Sequence, residues 1–165
     1  MYARNVGGDK GSKHILIDRL PKCLIIHLKR WKLDPKKPPV WSKDSRNINY
    51  TETIYLSSIL TEEGELESDP DYTLRGVLEH DGVKDGGHFT NLVIGHSQIF
   101  GTDDEKPANP RVAKVQSPCA YILLYCVRDP EIAFPLTPVG LKNPGNRCWF
   151  NGLLQLLWSG PKITQ

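Results

Sequence analysis

The sequence predicts an α+β fold, a twisted antiparallel β-sheet with one C-terminal helix laid against it. Three observations predict it. Residues 14–127 alternate short β-branched stretches with Pro, Gly, Asp and Asn clusters, the punctuation of antiparallel strands. Residues 129–139 read as a proline-rich extended connector. Residues 148–158, CWFNGLLQLLW, set Phe150, Leu153, Leu154 and Leu157 at helical spacing with Asn151 and Gln155 as the polar members, which predicts a buried helix. Segments 1–128, 129–139 and 140–165 are thus expected to build one structural domain.

A first strand is expected at 15–17. The clearest, at 23–32 (CLIIHLKRWK), points Leu24, Ile26 and Leu28 one way and Ile25, His27, Lys29 and Trp31 the other, and Ile25 and Trp31 imply burial on both faces. Segment 34–45, with three prolines, reads as a surface loop; a strand follows at 47–50 and a short helix near 55–60. Four glutamates in 61–70 predict a second loop. Further strands are expected at 72–79, 89–94, 111–115 and 121–127. There is no internal repeat.

Composition removes several function classes. Twenty-one basic against 19 acidic residues give +2, so nucleic acid is not an expected partner, although basic residues crowd 10–37 and acidic ones 62–71. The longest apolar run, 120–127, is eight residues, far below the roughly 20 that cross a bilayer, so no membrane association is expected. The polar, glycine-rich start carries no secretory h-region, and a cytoplasmic or nuclear location is expected. Cys23, Cys119, Cys126 and Cys148 form no CxxC pair, which predicts free thiols, no metal site and no cofactor. Oligomeric state is left open.

The chemistry converges on few residues. Asn143, Gly145 and Asn146 supply turn and cap chemistry just before Cys148, where a helix begins and its unpaired N–H groups favour a thiolate. A free cysteine in an apolar helix also serves simply as a small buried hydrophobe. His88 follows Gly86 and Gly87 at a strand mouth, a position for a general base or for an exposed ring on a hairpin. Asp103 and Asp104, one hairpin further on, offer a carboxylate to orient that imidazole, or plain turn chemistry.

Together these residues make the nucleophile, base and orienter of a cysteine hydrolase, and the sequence resembles the ubiquitin-specific protease family. GLKNPGNRCWFNGLLQLL, 140–157, resembles its cysteine box. YTLRGVLEHDGVKDGGHFTNLVI, 72–94, resembles its histidine box, RLPKCLIIHLKRW at 19–31 its Leu-Pro strand, and AYILLY at 120–125 its last strand. The resemblance implies a papain-like fold, an antiparallel palm with a buried cysteine-bearing helix. It implies hydrolysis after the C-terminal glycine of ubiquitin or ubiquitinated proteins, with Cys148 as nucleophile, His88 as base and Asp103, beside Asp104, as orienter. Asn143 and the Cys148 N–H would stabilise the oxyanion, and Gly86 and Gly87 would leave room for the Gly-Gly tail.

The family pattern is altered in several places. The histidine box precedes the cysteine box, so the chain is a circular permutation or a piece spanning the end of one catalytic unit and the start of another. The fingers and most of the thumb have no counterpart, Arg147 stands where the family has threonine, Pro144 fills a variable position, and Phe100-Gly-Thr-Asp103 is two residues longer than the family's aromatic-Asp-Asp. From Cys126 to Cys148 the backbone can extend about 70 Å, against a radius of gyration of about 15 Å, so the helix can return to the sheet. The alternative function is a ubiquitin-binding or adaptor module with weak or no catalysis, or a fragment of a larger deubiquitinase.

Overall fold

A computed structural model describes residues 2–5, 13–36, 38–60, 71–95, 98–111, 115–128, 138–158 and 160. In chain order the strands are β1 (Tyr2–Asn5), β2 (Lys13–Leu16), β3 (Cys23–His27), β4 (Trp31–Leu33), β5 (Trp41–Lys43), β6 (Thr53–Ile54), β7 (Tyr72–Val83), β8 (Gly86–Ile94), β9 (Ile99–Asp103), β10 (Lys106–Arg111) and β11 (Ala120–Val127). A 3-10 turn spans Ser57–Ile59, and the helix α1 spans Cys148–Trp158. Seven strands form one antiparallel sheet in the order β10-β9-β8-β7-β11-β3, with β6 also on β7; β1-β2 and β4-β5 are separate hairpins. Among the described residues no helix is long and apolar enough to cross a membrane.

Two apolar clusters lie on opposite faces of this sheet, as the two-residue repeat of β11 requires. Leu123 and Tyr125 join Tyr50, Leu56, Tyr72, Leu74 and Leu92 in the larger one, whereas Leu124 and Cys126 join Leu78 and Leu156 of α1 in the other. β7 lies between both clusters and is buried from Leu74 to His80. Buried tyrosines keep their hydroxyls paired: Tyr50 donates to the Val115 carbonyl at 2.5 Å, Tyr72 to Pro21 at 2.5 Å and Tyr125 to Thr51 at 2.6 Å.

The helix lies on β8, β7 and β9, and its bounds agree with expectation, but its buried face does not. Asn151, Gly152, Gln155 and Leu156 face the sheet, while Trp149, Phe150, Leu154, Leu157 and Trp158 are exposed, Trp158 by 73%. Close approach sets this choice. Gly152 sits so near the sheet that a Cβ there would lie 2.5 Å from Leu78 Cδ1, and the apolar side chains on either side of it turn outward.

Other expectations are corrected. The strand expected at 23–32 stops at His27 and resumes as β4 in another hairpin, because Arg30 turns its side chain inward and donates to the carbonyls of Ala120, Asp44 and Arg46 at 2.6, 2.9 and 2.8 Å. Ile25 is 50% exposed, since the helix lies on β7, β8 and β9 and leaves the middle of this edge strand uncovered. The loop at 34–45 contains β5, which pairs with β4. Residues 47–50 form no strand; Tyr50 is held by its side chain instead. The strand expected at 111–115 falls mostly on residues 112–114, outside the described residues; the strand Lys106–Arg111 before it returns from a tight turn to pair with β9. The glutamate-rich loop at 61–70 and most of the connector, 129–137, lie outside the described residues.

Candidate active site

Two hairpins carry the polar residues. In the first, Val83 pairs with Gly86 across a Lys84–Asp85 turn, and Gly82 supports the bend at a φ of +125°. His88 lies opposite Asp81 at the mouth of β8. In the second, Asp103 pairs with Lys106 across an Asp104–Glu105 turn, with Asp104 in the left-handed region at φ +48°, a conformation aspartate tolerates. The β8–β9 register pairs Asn91 with Thr102. Extended one step it sets Asp103 beside Thr90, two residues from His88 and on the same face.

His88 Nε2 and Asp103 Oδ1 are 2.6 Å apart, and the other oxygen of Asp103 accepts from Lys106 Nζ. Partial burial pushes the Asp103 carboxyl up, but the donors on Lys106 and His88 outweigh it and hold the group below the usual carboxylate range. Nε2 is therefore engaged by the carboxylate, which leaves Nδ1 as the ring nitrogen free for proton transfer.

The loop leading into α1 runs along the second hairpin. The Leu141 N–H donates to the Asp104 carbonyl at 2.7 Å, and Gly140 lies so close to Glu105 that a Cβ would meet its carbonyl oxygen at 2.5 Å. Asn143 works at both ends of its amide. Its Oδ1 accepts the N–H groups of Gly145 and Arg147, each at 3.1 Å, and its Nδ2 donates to Asp104 Oδ2 at 2.8 Å. One Nδ2 proton remains for a substrate oxygen. Gly145 and Asn146, at φ +134° and +50°, complete the turn, and Cys148 follows as the first residue of α1, half-buried with a free thiol.

The structure thus joins His88 to Asp103 and Asn143 to Asp104. It brings the helix that starts at Cys148 against the strand that carries His88, although no hydrogen bond links Cys148 to His88 among the described residues. His88, Asp103 and Asp104 each offer one ligand atom within 4.8 Å of the others. Their oxygens and Nε2 are already engaged by one another, by Lys106 and by two asparagines, so the cluster has the chemistry of a proton relay more than of a metal centre.

Gly86 and Gly87 differ. A Cβ on Gly86 would meet open space, whereas one on Gly87 would lie 2.5 Å from both the Asp81 carbonyl and His80 Nε2. His80 is buried among Phe89, Trp31 and Tyr121, with Nδ1 unpaired among the described residues, and burial, then Lys43, holds its imidazole below the ordinary value.

Sequence reading missed the residues that hold the site together. Asn151 Nδ2 donates to Asp104 Oδ1 at 2.8 Å and to the Leu141 carbonyl at 3.1 Å, Gln155 donates to the Val139 carbonyl, and Asn91 Nδ2 donates to the Gly152 carbonyl at 2.6 Å. The signal was available, since polar residues in an otherwise apolar helix need partners. Lys106 carried no such signal.

Residues 3–125 match the family model described as ubiquitin carboxyl-terminal hydrolase, a span that ends before the cysteine-bearing segment. Ubiquitin carboxyl-terminal hydrolase 1 of Arabidopsis thaliana is 33% identical over 96 residues, 58% of this chain and 9% of that protein. Ubiquitin carboxyl-terminal hydrolase 23 of the same plant is 30% identical over 132 residues, 79% of this chain and 14% of that protein. The chain therefore spans a small part of the length of these relatives. Among solved structures, the SAGA DUB module bound to ubiquitin aldehyde superposes with a TM-score of 0.61 at 21% identity, covering 78% of this chain and 30% of that one, a likeness of fold.

Proposed function

The chain belongs to the ubiquitin carboxyl-terminal hydrolase family, and from that premise we propose that it carries the catalytic groups for thiol-dependent hydrolysis of peptide or isopeptide bonds after the C-terminal glycine of ubiquitin. The observation that carries this reading is the His88–Asp103 pair, 2.6 Å apart on the sheet against which the Cys148 helix is docked.

In this reading Asp103 fixes the imidazole through Nε2, and Lys106 fixes Asp103. His88 Nδ1 takes the thiol proton as Cys148 Sγ attacks the carbonyl carbon of the terminal glycine. The oxygen of the tetrahedral intermediate accepts from the free Nδ2 proton of Asn143 and from the Cys148 N–H at the start of the helix. The C–N bond then breaks, His88 returns its proton to the leaving amine, and a thioester remains. Water, deprotonated by His88, attacks the thioester and frees the carboxylate and the thiol.

Ubiquitin bearing a C-terminal electrophile tests the proposal. Wild-type protein should gain the mass of one ubiquitin, while Cys148→Ala and His88→Ala should not. A second reading rests on the small share of its relatives that this chain spans: a ubiquitin-binding module, or a fragment whose activity needs the rest of the protein. Saturable binding of ubiquitin with no covalent adduct would select it and overturn the hydrolase reading for this chain.

A further inference from the structure

Cys23 and Cys126 lie outside the site described above, and their sulfurs are 2.8 Å apart across β3 and β11. The backbone explains the proximity. The two residues are register partners, and the flanking bonds fix the type of pair: the Val127 N–H donates to Lys22 at 3.0 Å and the Leu28 N–H to Tyr121 at 2.9 Å. Hydrogen-bonded pairs therefore fall at 127/22 and 121/28, and 126/23 is a non-hydrogen-bonded pair. Such pairs hold their Cα atoms about 4.5 Å apart, inside the roughly 4.4–6.8 Å that a disulfide spans. The residues are 103 apart in sequence, so only the fold creates the pair.

We propose that Cys23 and Cys126 form a redox-active dithiol that hydrogen peroxide converts into an intrachain disulfide. Cys23 is the half-buried member and Cys126 the fully buried one. The hydrogen bond from Cys126, against the opposing effect of burial and with help from the nearby Arg75 charge, holds the Cys23 thiol below its ordinary value; that same bond, then burial, pushes Cys126 up. These directions assign the roles. The Cys23 thiolate attacks one peroxide oxygen, the O–O bond breaks, hydroxide leaves and Cys23 becomes a sulfenic acid. The Cys126 sulfur then attacks the Cys23 sulfur; the S–S bond forms, the S–O bond breaks, and the Cys126 proton departs with the hydroxyl as water. Two thiols are oxidised by two electrons and one peroxide is reduced to water.

The bridge would pin β3, the last strand of the sheet path, to β11. Cys126 shares its cluster with Leu156 in the last turn of α1, so the crosslink would sit beside the C-terminal end of that helix. A disulfide in a reducing compartment is transient and responds to oxidant, which suits a switch more than a permanent staple. This chemistry does not depend on the hydrolase reading and can be measured without substrate.

The test treats the reduced 165-residue chain with hydrogen peroxide, alkylates the remaining thiols and maps the peptides by mass spectrometry. The expected result is a crosslinked peptide joining Cys23 to Cys126, formed equally in Cys148→Ala protein, reversed by dithiothreitol and abolished by Cys23→Ser. Alkylation of both Cys23 and Cys126 in protein whose Cys148 has been oxidised would overturn the proposal, as would crosslinks that join either residue to Cys119 or Cys148 instead.

Discussion

Asn151 donates from Nδ2 to Asp104 Oδ1 at 2.8 Å, joining the first turn of the cysteine-bearing helix to the turn that follows Asp103. Asp104 receives Asn143 on its other oxygen at 2.8 Å, so one carboxylate holds both the helix and the loop before it. Replacing Asn151 with Leu would leave the Leu141 carbonyl and half of Asp104 without this donor in a half-buried place. The expected loss is about 1–3 kcal/mol of unfolding free energy by urea titration. If the hydrolase reading holds, slower labelling of Cys148 should accompany it. A variant as stable as the parent would show that Asp104 is not the anchor.

The two glycines before His88 give a sharper contrast. Gly86→Ala places a methyl in open space and should leave the fold intact. Gly87→Ala drives its Cβ against the Asp81 carbonyl, which is backbone and cannot swing aside, and against the buried His80 ring. A cost of about 1–3 kcal/mol is expected for Gly87→Ala alone, read as a lower urea midpoint with unchanged slope. Equal midpoints for the two variants would refute the packing argument.

Much of this was legible in the sequence, and the exceptions have physical causes. The helix bounds followed from Asn143, Gly145 and the apolar run, whereas spacing offered either Asp103 or Asp104 to His88 and only the family resemblance singled out Asp103, which lies 2.6 Å from His88 Nε2. The buried face of the helix did not follow, because hydrophobicity counts the side chains and close approach is decided by Gly152, which has none. Asn151 buries its amide on the Asp104 carboxylate and the Leu141 carbonyl, Gln155 on the Val139 carbonyl and Asn91 on the Gly152 carbonyl, and these acceptors lie outside the element that carries each donor, where periodicity does not connect them. Strand 23–32 reads as continuous for the same reason: alternation cannot reveal that Arg30 finds three carbonyl acceptors inside.

Acid should act through Asp103. Burial raises this carboxyl, but Lys106 and His88 lower it more, so its value in the folded state lies beneath that of the unfolded chain, about 3.9 for aspartate. A depressed carboxylate contributes stability that is fully present above about pH 4 and is lost as pH falls through the folded value. Wild type should therefore exceed Asp103→Asn in unfolding free energy at pH 6, and the gap should close as the pH is taken below about 4. A gap that keeps its size down to pH 2 would mean that the lost interaction is not ionic. Lys106→Gln should narrow the same window by removing the positive charge beside Asp103.

Arg30 offers the most direct test of how the sheet is tied to the hairpin beside it. Its side chain is 1% exposed, yet it reaches the Ala120 carbonyl at the start of β11 and the Asp44 and Arg46 carbonyls beyond β5. The flat guanidinium presents its donors in fixed directions, so Nε and Nη1 serve separate segments at once; an ammonium converges its donors on one point and cannot span them. Arg30→Lys should cost about 2–4 kcal/mol and Arg30→Met at least as much, since the methionine fills the space but leaves three carbonyls without this donor. Hydrogen exchange should localise the damage. The Asp44 N–H, which donates to the Arg30 carbonyl at 2.6 Å, should lose protection in both variants before β7 and β8 do. Should Arg30→Met match wild type in stability and exchange, the buried charge would be dispensable, and the break between β3 and β4 would need another cause.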